Sequence, residues 1–250
     1  MRKVIWVVLL LTVANKTHAA QSSWQVGRSN KQYILSQAIM DMFIKASGVT
    51  SVNHYLPFAR RLRSLELGSI DISAGLHKTK DREKSLYFLK PPYLDSSRHF
   101  FVLRKQELLP LARYKDLYAL RVGVKLGARY FEPFDHDSKM TKVSLNDNSA
   151  CLELLYRKRL DACIVGEVGR HFALNGKVWK GRFKLASFQG GNDTPVYIAI
   201  SKRSSLYVER EQLDALLQGL TDSGEIRQVI DDFYQSRNIA TPIDDEPSLE

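Results

Sequence analysis

The sequence has few of the features that mark an enzyme or a membrane protein. Its longest apolar run, Val4–Val13, is about half the roughly 20 residues that a membrane-spanning helix needs. It contains no Gly-x-Ser-x-Gly, no His-Glu-x-x-His and no phosphate-binding loop, so no catalytic group and no cofactor is predicted. The acidic and histidine residues at 135–137 are consecutive and cannot easily converge on one metal ion, so no metal site is predicted either.

Cysteine is also scarce, and Cys151 and Cys163 are the only two in the chain. They could pair in an oxidising compartment. We predict a helix at 148–158 followed by a strand at 161–166, which places Cys151 near the start of the helix and Cys163 beside its end. At 1.5 Å per residue the two are then roughly 10 Å apart. Two buried free thiols are therefore favoured over a disulfide, which stays open as the alternative.

The first twenty residues have the three parts of a secretory signal peptide. A basic start precedes Val4–Val13, and the small residues Ala19 and Ala20 suit a signal peptidase. A bacterial lipid anchor needs a cysteine directly after the cleavage site, where this chain has Ala20 or Gln21. We therefore predict that residues 1–20 are removed and that the protein is released into the periplasm without a lipid anchor.

Positive charge is in excess, with 37 Lys and Arg against 27 Asp and Glu and a formal net charge of +10. The signal holds three of the positive charges and no acid, so +7 remains after cleavage. Such a balance favours an anionic partner. Nucleic acid is not the predicted partner, because the basic residues are scattered and export removes the usual target. The basic cluster at 59–63 is predicted to be the solvated side of an amphipathic helix.

Periodicity and turn residues predict alternating strands and helices, which indicates an α/β protein. Predicted strands lie at 24–27, 51–55, 70–74, 99–103, 119–126, 142–145, 161–166 and 196–201. Predicted helices lie at 30–46, 57–67, 148–158, from about 168, at 206–219 and at 223–235. Ser29 is the predicted N-cap of the first helix, and Asp147 or Asn148 caps the helix at 148–158.

These elements form two blocks of similar size, joined by extended segments near 98–104 and 190–196. We predict two lobes separated by a cleft. Open α/β sheets bind ligands at the carboxyl ends of their strands, and domain interfaces are favoured pocket sites, so the cleft is the predicted binding site. The predicted division is lobe 1 at 21–103 and 195–240, lobe 2 at 104–194, and an acidic tail at 241–250.

Short motifs occur along the chain in a characteristic order. They are Leu56–Leu62 with Leu67–Asp71, Thr79–Glu83 with Pro92 and Tyr93, Asp116–Val124, and Lys158–Ala162. In this order and spacing they resemble extracellular (periplasmic) solute-binding protein family 3, the amino-acid-binding type. The resemblance implies a two-lobed periplasmic-binding-protein type II fold with a ligand cleft between the lobes. Lys158 stands where the family has a left-handed glycine, a conformation that costs a lysine about 1 kcal/mol.

The resemblance assigns ligand contacts in the first lobe. Arg82 matches the arginine whose planar guanidinium pairs with the ligand carboxylate, and Thr79 is the predicted N-cap of the helix that carries it. Phe58 matches an aromatic that covers the ligand, while Gly75 and His77 match the segment that lines this lobe. The residues alone leave other roles open: Arg82 as a surface arginine, Phe58 as a core residue and His77 as a solvated loop residue.

In the second lobe, Lys125, Ala128 and Arg129 lie in the turn after a strand, where the family presents backbone N–H groups to the ligand carboxylate. Either cation has the alternative of facing water. The family's aspartate that holds a ligand ammonium group is replaced by Gly166, with Glu167 beside it as a candidate. Because neighbouring strand residues point to opposite faces, a carboxylate ligand without an amine stays open.

The leading hypothesis is periplasmic capture of a small anionic or zwitterionic solute, an amino acid or related organic acid, by a monomer that presents it to an inner-membrane ABC transporter permease. The second is an interaction module that conveys ligand binding to a membrane sensor. The third, held below the others, is an enzyme resembling cyclohexadienyl dehydratases, with Glu167 or His77 as general acid. We expect a binding protein and not an enzyme.

Overall fold

The computed structural model describes residues 23–29, 34–108, 110–191 and 194–237. Within these ranges the chain forms two five-stranded mixed sheets with helices packed on them, which confirms the predicted α/β class. The predicted signal peptide at 1–20 and acidic tail at 241–250 lie outside the described residues. None of the helices in the described ranges is long and apolar enough to cross a membrane.

Ten strands and seven α-helices alternate along the chain. The strands are β1 (Trp24–Ser29), β2 (Ser51–Leu56), β3 (Ile72–Leu76), β4 (Leu86–Phe88), β5 (His99–Arg104), β6 (Arg121–Lys125), β7 (Thr141–Leu145), β8 (Ala162–Val165), β9 (Phe183–Gly190) and β10 (Tyr197–Ser201), counted over the described residues. The helices are α1 (Leu35–Ser47), α2 (Phe58–Leu67), α3 (Lys80–Glu83), α4 (Asn148–Tyr156), α5 (Glu167–Asn175), α6 (Arg210–Asp222) and α7 (Glu225–Gln235).

The two sheets share one plan. The first has the order β2-β1-β3-β10-β4, in which β1 to β3 are parallel and β10 is antiparallel to β3 and β4. The second has the order β7-β6-β8-β5-β9, in which β6 to β8 are parallel and β5 is antiparallel to β8 and β9. Each lobe thus receives one antiparallel strand, β10 or β5, from chain that has just crossed over from the other lobe.

The crossings between the lobes are hydrogen-bonded to each other. The Val196 N–H donates to the Leu94 carbonyl at 2.8 Å, and the Tyr93 N–H donates to the Val196 carbonyl at 3.1 Å. The first crossing ends before β5, whose pairing with β8 and β9 holds it wholly in the second sheet. The predicted boundary after residue 103 therefore falls inside a lobe 2 strand, and the crossing lies nearer 89–98.

Helix α1 shows how apolar spacing builds the first core. Ile39, Met40 and Phe43 are fully buried and pack in one cluster with residues of α6 and α7. The helix ends at Gly48, whose φ of 68° gives the left-handed cap that a glycine adopts without penalty. Its predicted start is wrong, because β1 continues through Ser29 and the helix begins after Ile34, which makes no side-chain cap.

The two cysteines form a disulfide, which corrects the expectation of free thiols. Their Cα atoms are 6.1 Å apart, within the range that a disulfide bridges. The predicted distance between Cys151 and Cys163 was too long because it left out the reversal of the chain between α4 and β8. After α4 the strand β8 runs back beneath the helix at about 3.3 Å per residue, so Cys163 comes level with Cys151.

Lys158 adopts the left-handed conformation that the family resemblance implies for its position, with φ 59°. Its carbonyl accepts from Arg121 Nη2 at 3.0 Å, a bond that a glycine keeps.

We expect Lys158→Gly to raise the free energy of unfolding by about 0.5–1 kcal/mol, because strain relief exceeds the added freedom of the unfolded chain. Chemical denaturation measures this. Arg157→Gly is the matched control, since Arg157 has φ −77° and gains nothing from glycine; equal changes for both variants would contradict the strain.

Candidate functional site

A cavity of about 150 Å³ lies between the two lobes. Most of its walls come from the carboxyl ends of strands, as the architecture predicts. Phe58 follows β2, His77 follows β3, Lys125 ends β6, Asn148 follows β7 and Gly166 follows β8. The cavity thus sits where the two sheets direct their strand ends toward each other.

Seven of the nine predicted site residues line this cavity. They are Phe58, Gly75, His77, Arg82, Lys125, Ala128 and Arg129. Thr79 and Glu167 are not among its lining residues. Thr79 caps α3 as predicted, its hydroxyl accepting from the Arg82 N–H at 3.2 Å, so it positions the arginine. Direct ligand contact by any of the nine stays a prediction.

Arg82 reaches from the first lobe to the second. Its side chain is 5% exposed, with Nη1 donating to the His77 carbonyl at 2.6 Å and Nη2 donating to the Gly127 carbonyl at 2.9 Å. Burial, with the nearby Arg129, lowers the Arg82 pKa to about 10, which leaves it charged at neutral pH. This burial excludes the surface-arginine alternative. Of five N–H donors two are occupied, so the guanidinium keeps donors for an anion.

Three cations surround the ring of Phe58. Lys125 Nζ lies 4.5 Å from the ring centroid, Arg61 Cζ 5.4 Å and Arg82 Cζ 5.9 Å. The face of an aromatic ring attracts cations, which offsets part of the free energy lost when they leave water. Phe58 is partly buried at the cavity, so its ring serves the site as well as helix packing.

Arg61 is the member of the 59–63 cluster for which the prediction of a solvated side is wrong. It is 5% exposed, whereas Arg60 and Arg63 are exposed. Gly27 in β1 makes room for it, since a Cβ there would come within 2.9 Å of Arg61 Cγ. Burial lowers the Arg61 pKa to about 10. Across the described ranges, no carboxylate and no hydrogen-bond acceptor pairs with its guanidinium.

Two histidines on the cavity are neutral at pH 7. His77 Nδ1 lies 2.9 Å from the Pro195 carbonyl, to which it donates, and burial lowers the His77 pKa. His99 packs edge-on against His77, and burial lowers the His99 pKa to about 3. Within the part of the chain that the structure describes, Nδ1 of the buried His99 has no hydrogen-bond partner. The positive charge of the cavity therefore comes from lysine and arginine.

Gly166 is the position at which the resemblance implies an ammonium-binding aspartate, and Glu167 is the acid beside it. Gly166 ends the strand as the N-cap of α5 and lines the cavity. A Cβ at Gly166 would meet only the Arg98 carbonyl, at 4.0 Å, so a side chain would fit there. Glu167 is buried, forms an ion pair with Arg170, and together with burial raises the pKa of Tyr234. The acid therefore has structural partners away from the cavity.

The sequence analysis passed over several residues of the site. Asn148, the first residue of α4, follows a parallel strand, and the carboxyl-end rule applied to β7 would have found it. Tyr130, whose hydroxyl accepts from the Lys125 N–H at 2.7 Å, lies in the turn already singled out after β6. His99 begins an antiparallel strand, and no local pattern marks its position.

Lys125 offers a pH test of the site. Burial, followed by the charge of Arg61, lowers the Lys125 pKa to about 8, and Asp147 acts in the opposite direction. The charge of Lys125 in turn lowers the His77 pKa. Between pH 8 and 10.5 the unfolded chain binds the proton that the folded protein has lost, so this residue makes the free energy of unfolding rise with pH.

We expect denaturant unfolding to show a larger rise in stability from pH 8 to pH 10 in the wild type than in Lys125→Met. Other lysines and tyrosines titrate in both proteins, so subtracting the two curves isolates Lys125. Parallel curves would contradict the lowered pKa.

No protein-family model matches the sequence, and no curated protein matches it at a significant level. Solved structures do match. An ancestral arginine-binding protein bound to arginine superposes with a TM-score of 0.70 at 18% identity, covering 85% of this chain and 98% of that chain. An amino acid ABC transporter substrate-binding protein from Streptococcus pneumoniae bound to L-arginine gives 0.67 at 22% identity, covering 84% and 93%.

A histidine kinase sensor domain with similarity to periplasmic binding proteins gives a TM-score of 0.69 at 15% identity, covering 84% of this chain and 95% of that chain. These neighbours confirm the predicted two-lobed periplasmic-binding-protein fold. The solved neighbours named here are binding or sensor domains rather than enzymes.

Proposed function

We propose that this protein is a periplasmic solute-binding protein that captures a small carboxylate-bearing solute between its lobes and delivers it to an inner-membrane ABC transporter. The observation that carries the proposal is the buried Arg82 guanidinium, which lies on the cavity and bonds to carbonyls of both lobes. An anion held there contacts both halves at once. It therefore favours the closed arrangement over an open one through its differential affinity, and the paired crossings absorb the movement.

Each lobe has its own part in the proposed site. In the first, Arg82 pairs with the carboxylate, Thr79 holds α3 in place, Phe58 contacts the apolar part of the solute, and Gly75 and His77 form the floor. In the second, Lys125 and Arg129 add positive charge, and the turn at Gly127 and Ala128 supplies backbone close to the solute. Gly127 gives this turn a left-handed backbone, with φ 76°, that other residues rarely adopt, while a Cβ there would make only ordinary contact with Ala59 at 3.5 Å.

A thermal-shift screen of amino acids and organic acids against residues 21–250 tests the proposal. A ligand at 100 times its Kd stabilises the folded state by about 2.7 kcal/mol. For a protein of this size we expect the Tm to rise by roughly 5–10 °C. Sodium chloride at matched ionic strength is the control for general charge screening. Stabilisation by none of the compounds would overturn the proposed function.

Export and oligomeric state need their own experiment. We expect the full chain, expressed in a Gram-negative host, to yield periplasmic protein that begins at Ala20 or Gln21 by mass spectrometry and elutes as a monomer. Retention of the first twenty residues on a cytoplasmic product would contradict export.

Sensing is the second candidate, favoured by the likeness to a histidine kinase sensor domain. Ligand closure would then be reported to a membrane kinase instead of a permease. Cells carrying Arg82→Met separate the two, because a transport protein loses uptake of the solute while a sensing protein loses transcriptional response with uptake intact. We expect loss of uptake.

A further inference from the structure

Within that proposed function, we propose that the solute is a small organic dianion without an ammonium group, and that Arg61 and Lys125 act with Arg82 to hold its two negative charges. The proposal rests on the function given above and narrows its substrate class. Its basis is the balance of charge around the Phe58 ring.

Among the described residues, carboxylates act on the cations at this ring only from outside the cavity: Glu66 and Asp135 on Arg82, and Asp147 on Lys125. Arg82, Lys125 and Arg129 line the cavity, and Arg61 lies against the same ring behind it. None of the cavity's described lining residues is an aspartate or glutamate. Arg129 is exposed, but Arg82 and Arg61 are buried and Lys125 is partly buried. A single carboxylate would leave much of the charge of these three unpaired, whereas a dianion neutralises more of it.

The acids near these cations already have partners. Glu66, whose charge raises the Arg82 pKa, lies 3.6 Å from the exposed Arg63 in an ion pair. Asp147 caps α4 by accepting from the Ala150 N–H at 2.9 Å. Asp135 accepts from the Tyr130 N–H at 2.9 Å, and Glu167 pairs with Arg170. Turning Asp147, Asp135 or Glu167 toward the cations would break a helix cap, a turn or a buried ion pair, and turning Glu66 would break its pair with Arg63. The compensating charge is therefore expected from the solute.

Arg61 gives the strongest indication. Arg61 is 5% exposed, and among the described residues no carboxylate and no hydrogen-bond acceptor pairs with its guanidinium, so keeping this charge at the ring costs free energy. Its stem fills the space above Gly27, and an unbranched apolar side chain such as methionine would fill the same space without the charge. Its charge is what remains to be explained, and that charge lies 5.4 Å from the ring that Lys125 and Arg82 share.

An ammonium group does not suit this cavity. It would face the cations with no carboxylate at Gly166 to receive it, and like charges disfavour each other. The neutral His77 and His99 cannot replace that carboxylate. The volume of about 150 Å³ is below the roughly 300 Å³ at which drug-sized pockets begin, so the dianion has only a few carbons.

Calorimetry at pH 7 and constant ionic strength tests the proposal with matched four-carbon probes: butyrate, succinate and aspartate. Unbranched dicarboxylates of three to six carbons and alkyl phosphates of one to four carbons extend the series. We expect the best dianion to bind about 100-fold tighter than its monoanionic and amine-bearing counterparts. A dicarboxylate as the best ligand would support both the dianion and the carboxylate-bearing solute proposed above. A phosphate monoester as the best ligand would support the dianion but overturn the carboxylate.

Two other results would distinguish a failure of the dianion preference from a failure of the solute-binding function. If aspartate or another amino acid binds as tightly as the best dianion, the dianion proposal is overturned while the binding function stands. If no carboxylate and no phosphate binds, the binding function fails with it.

Arg61→Met and Arg60→Met form the matched pair of variants, since the two arginines are neighbours on α2 but Arg60 is exposed. We expect Arg61→Met to weaken the best dianion by about 10-fold or more, to leave the monoanion within about twofold, and to raise the Tm. Arg60→Met should change none of these. A lower Tm with equal weakening of all ligands would show a structural role and overturn the assignment.

Gly166→Asp provides an independent arm, because it places a carboxylate where the Cβ meets nothing closer than 4.0 Å. We expect it to reverse the preference so that aspartate binds tighter than succinate. An unchanged preference for succinate in a folded variant would contradict the proposed charge balance.

Discussion

Replacing Arg82 with methionine is expected to raise the Kd for the best-binding solute of the screen by more than about 100-fold. A hydrogen bond to a charged group is worth about 1.5–3 kcal/mol, and the guanidinium can offer two to one carboxylate. Calorimetry of the purified variant gives the change directly. Arg82→Lys keeps the charge but not the planar fork, so a smaller loss of about 10-fold is expected.

Lys80→Met is the control for this substitution. Lys80 opens the same short helix, two residues before Arg82, but its side chain is exposed. Circular dichroism and the Tm show whether each variant is folded. Removing Arg82 takes away a desolvated charge along with its bonds to two carbonyls, so we expect a small change in stability. If the Arg82→Met and Lys80→Met variants bind the solute with equal affinity, Arg82 does not contribute to solute binding.

Strand ends and the resemblance placed Arg82, Phe58 and Lys125 near the cleft, and all three line the cavity, while their contact with a solute stays a prediction. Arg61 shows where such analysis fails. It lies three residues after Phe58 and four before the buried Leu65, which places it on the inner stripe of α2. Its charge suggested solvent, whereas the gap above Gly27 that admits it belongs to a distant strand.

Strand β9 was missed for a related reason. It pairs with β5 through a register shift between Phe100 and Val102, so its buried residues do not alternate regularly. The pairing of Cys151 with Cys163 depended in the same way on the path of β8 under α4. Burial, bulges and crosslinks are set by contacts between elements, and periodicity within one element does not report them.

Loss of the Cys151–Cys163 disulfide is expected to lower the free energy of unfolding by about 3 kcal/mol. The bond closes a loop with a sequence separation of 12, and a loop of this size restricts the unfolded chain by about that amount. The Tm should fall by roughly 6–12 °C. Denaturation with and without a reductant measures the effect.

A Cys151→Ala, Cys163→Ala double variant removes the crosslink together with both sulfurs. It therefore separates the effect of losing the crosslink from the steric effect of two reduced thiols. Space around the sulfurs is limited, since a Cβ at Gly123 would come within 2.2 Å of Cys151 Sγ. Two reduced sulfurs must move apart against this packing, so reduction should destabilise the wild type at least as much as the alanines do. Identical Tm values with and without reductant would contradict the disulfide.

Reduction should also weaken solute binding. The bond ties α4 to β8, and these two elements contribute Asn148, Ile164 and Val165 to the cavity wall, with Gly166 at the end of the strand. Without the crosslink, α4 and β8 are held together by packing alone. The solute must then order these two elements when it binds, and the free energy of that ordering reduces its affinity. We therefore expect the double alanine variant to bind the best solute more weakly, with Arg82 unchanged.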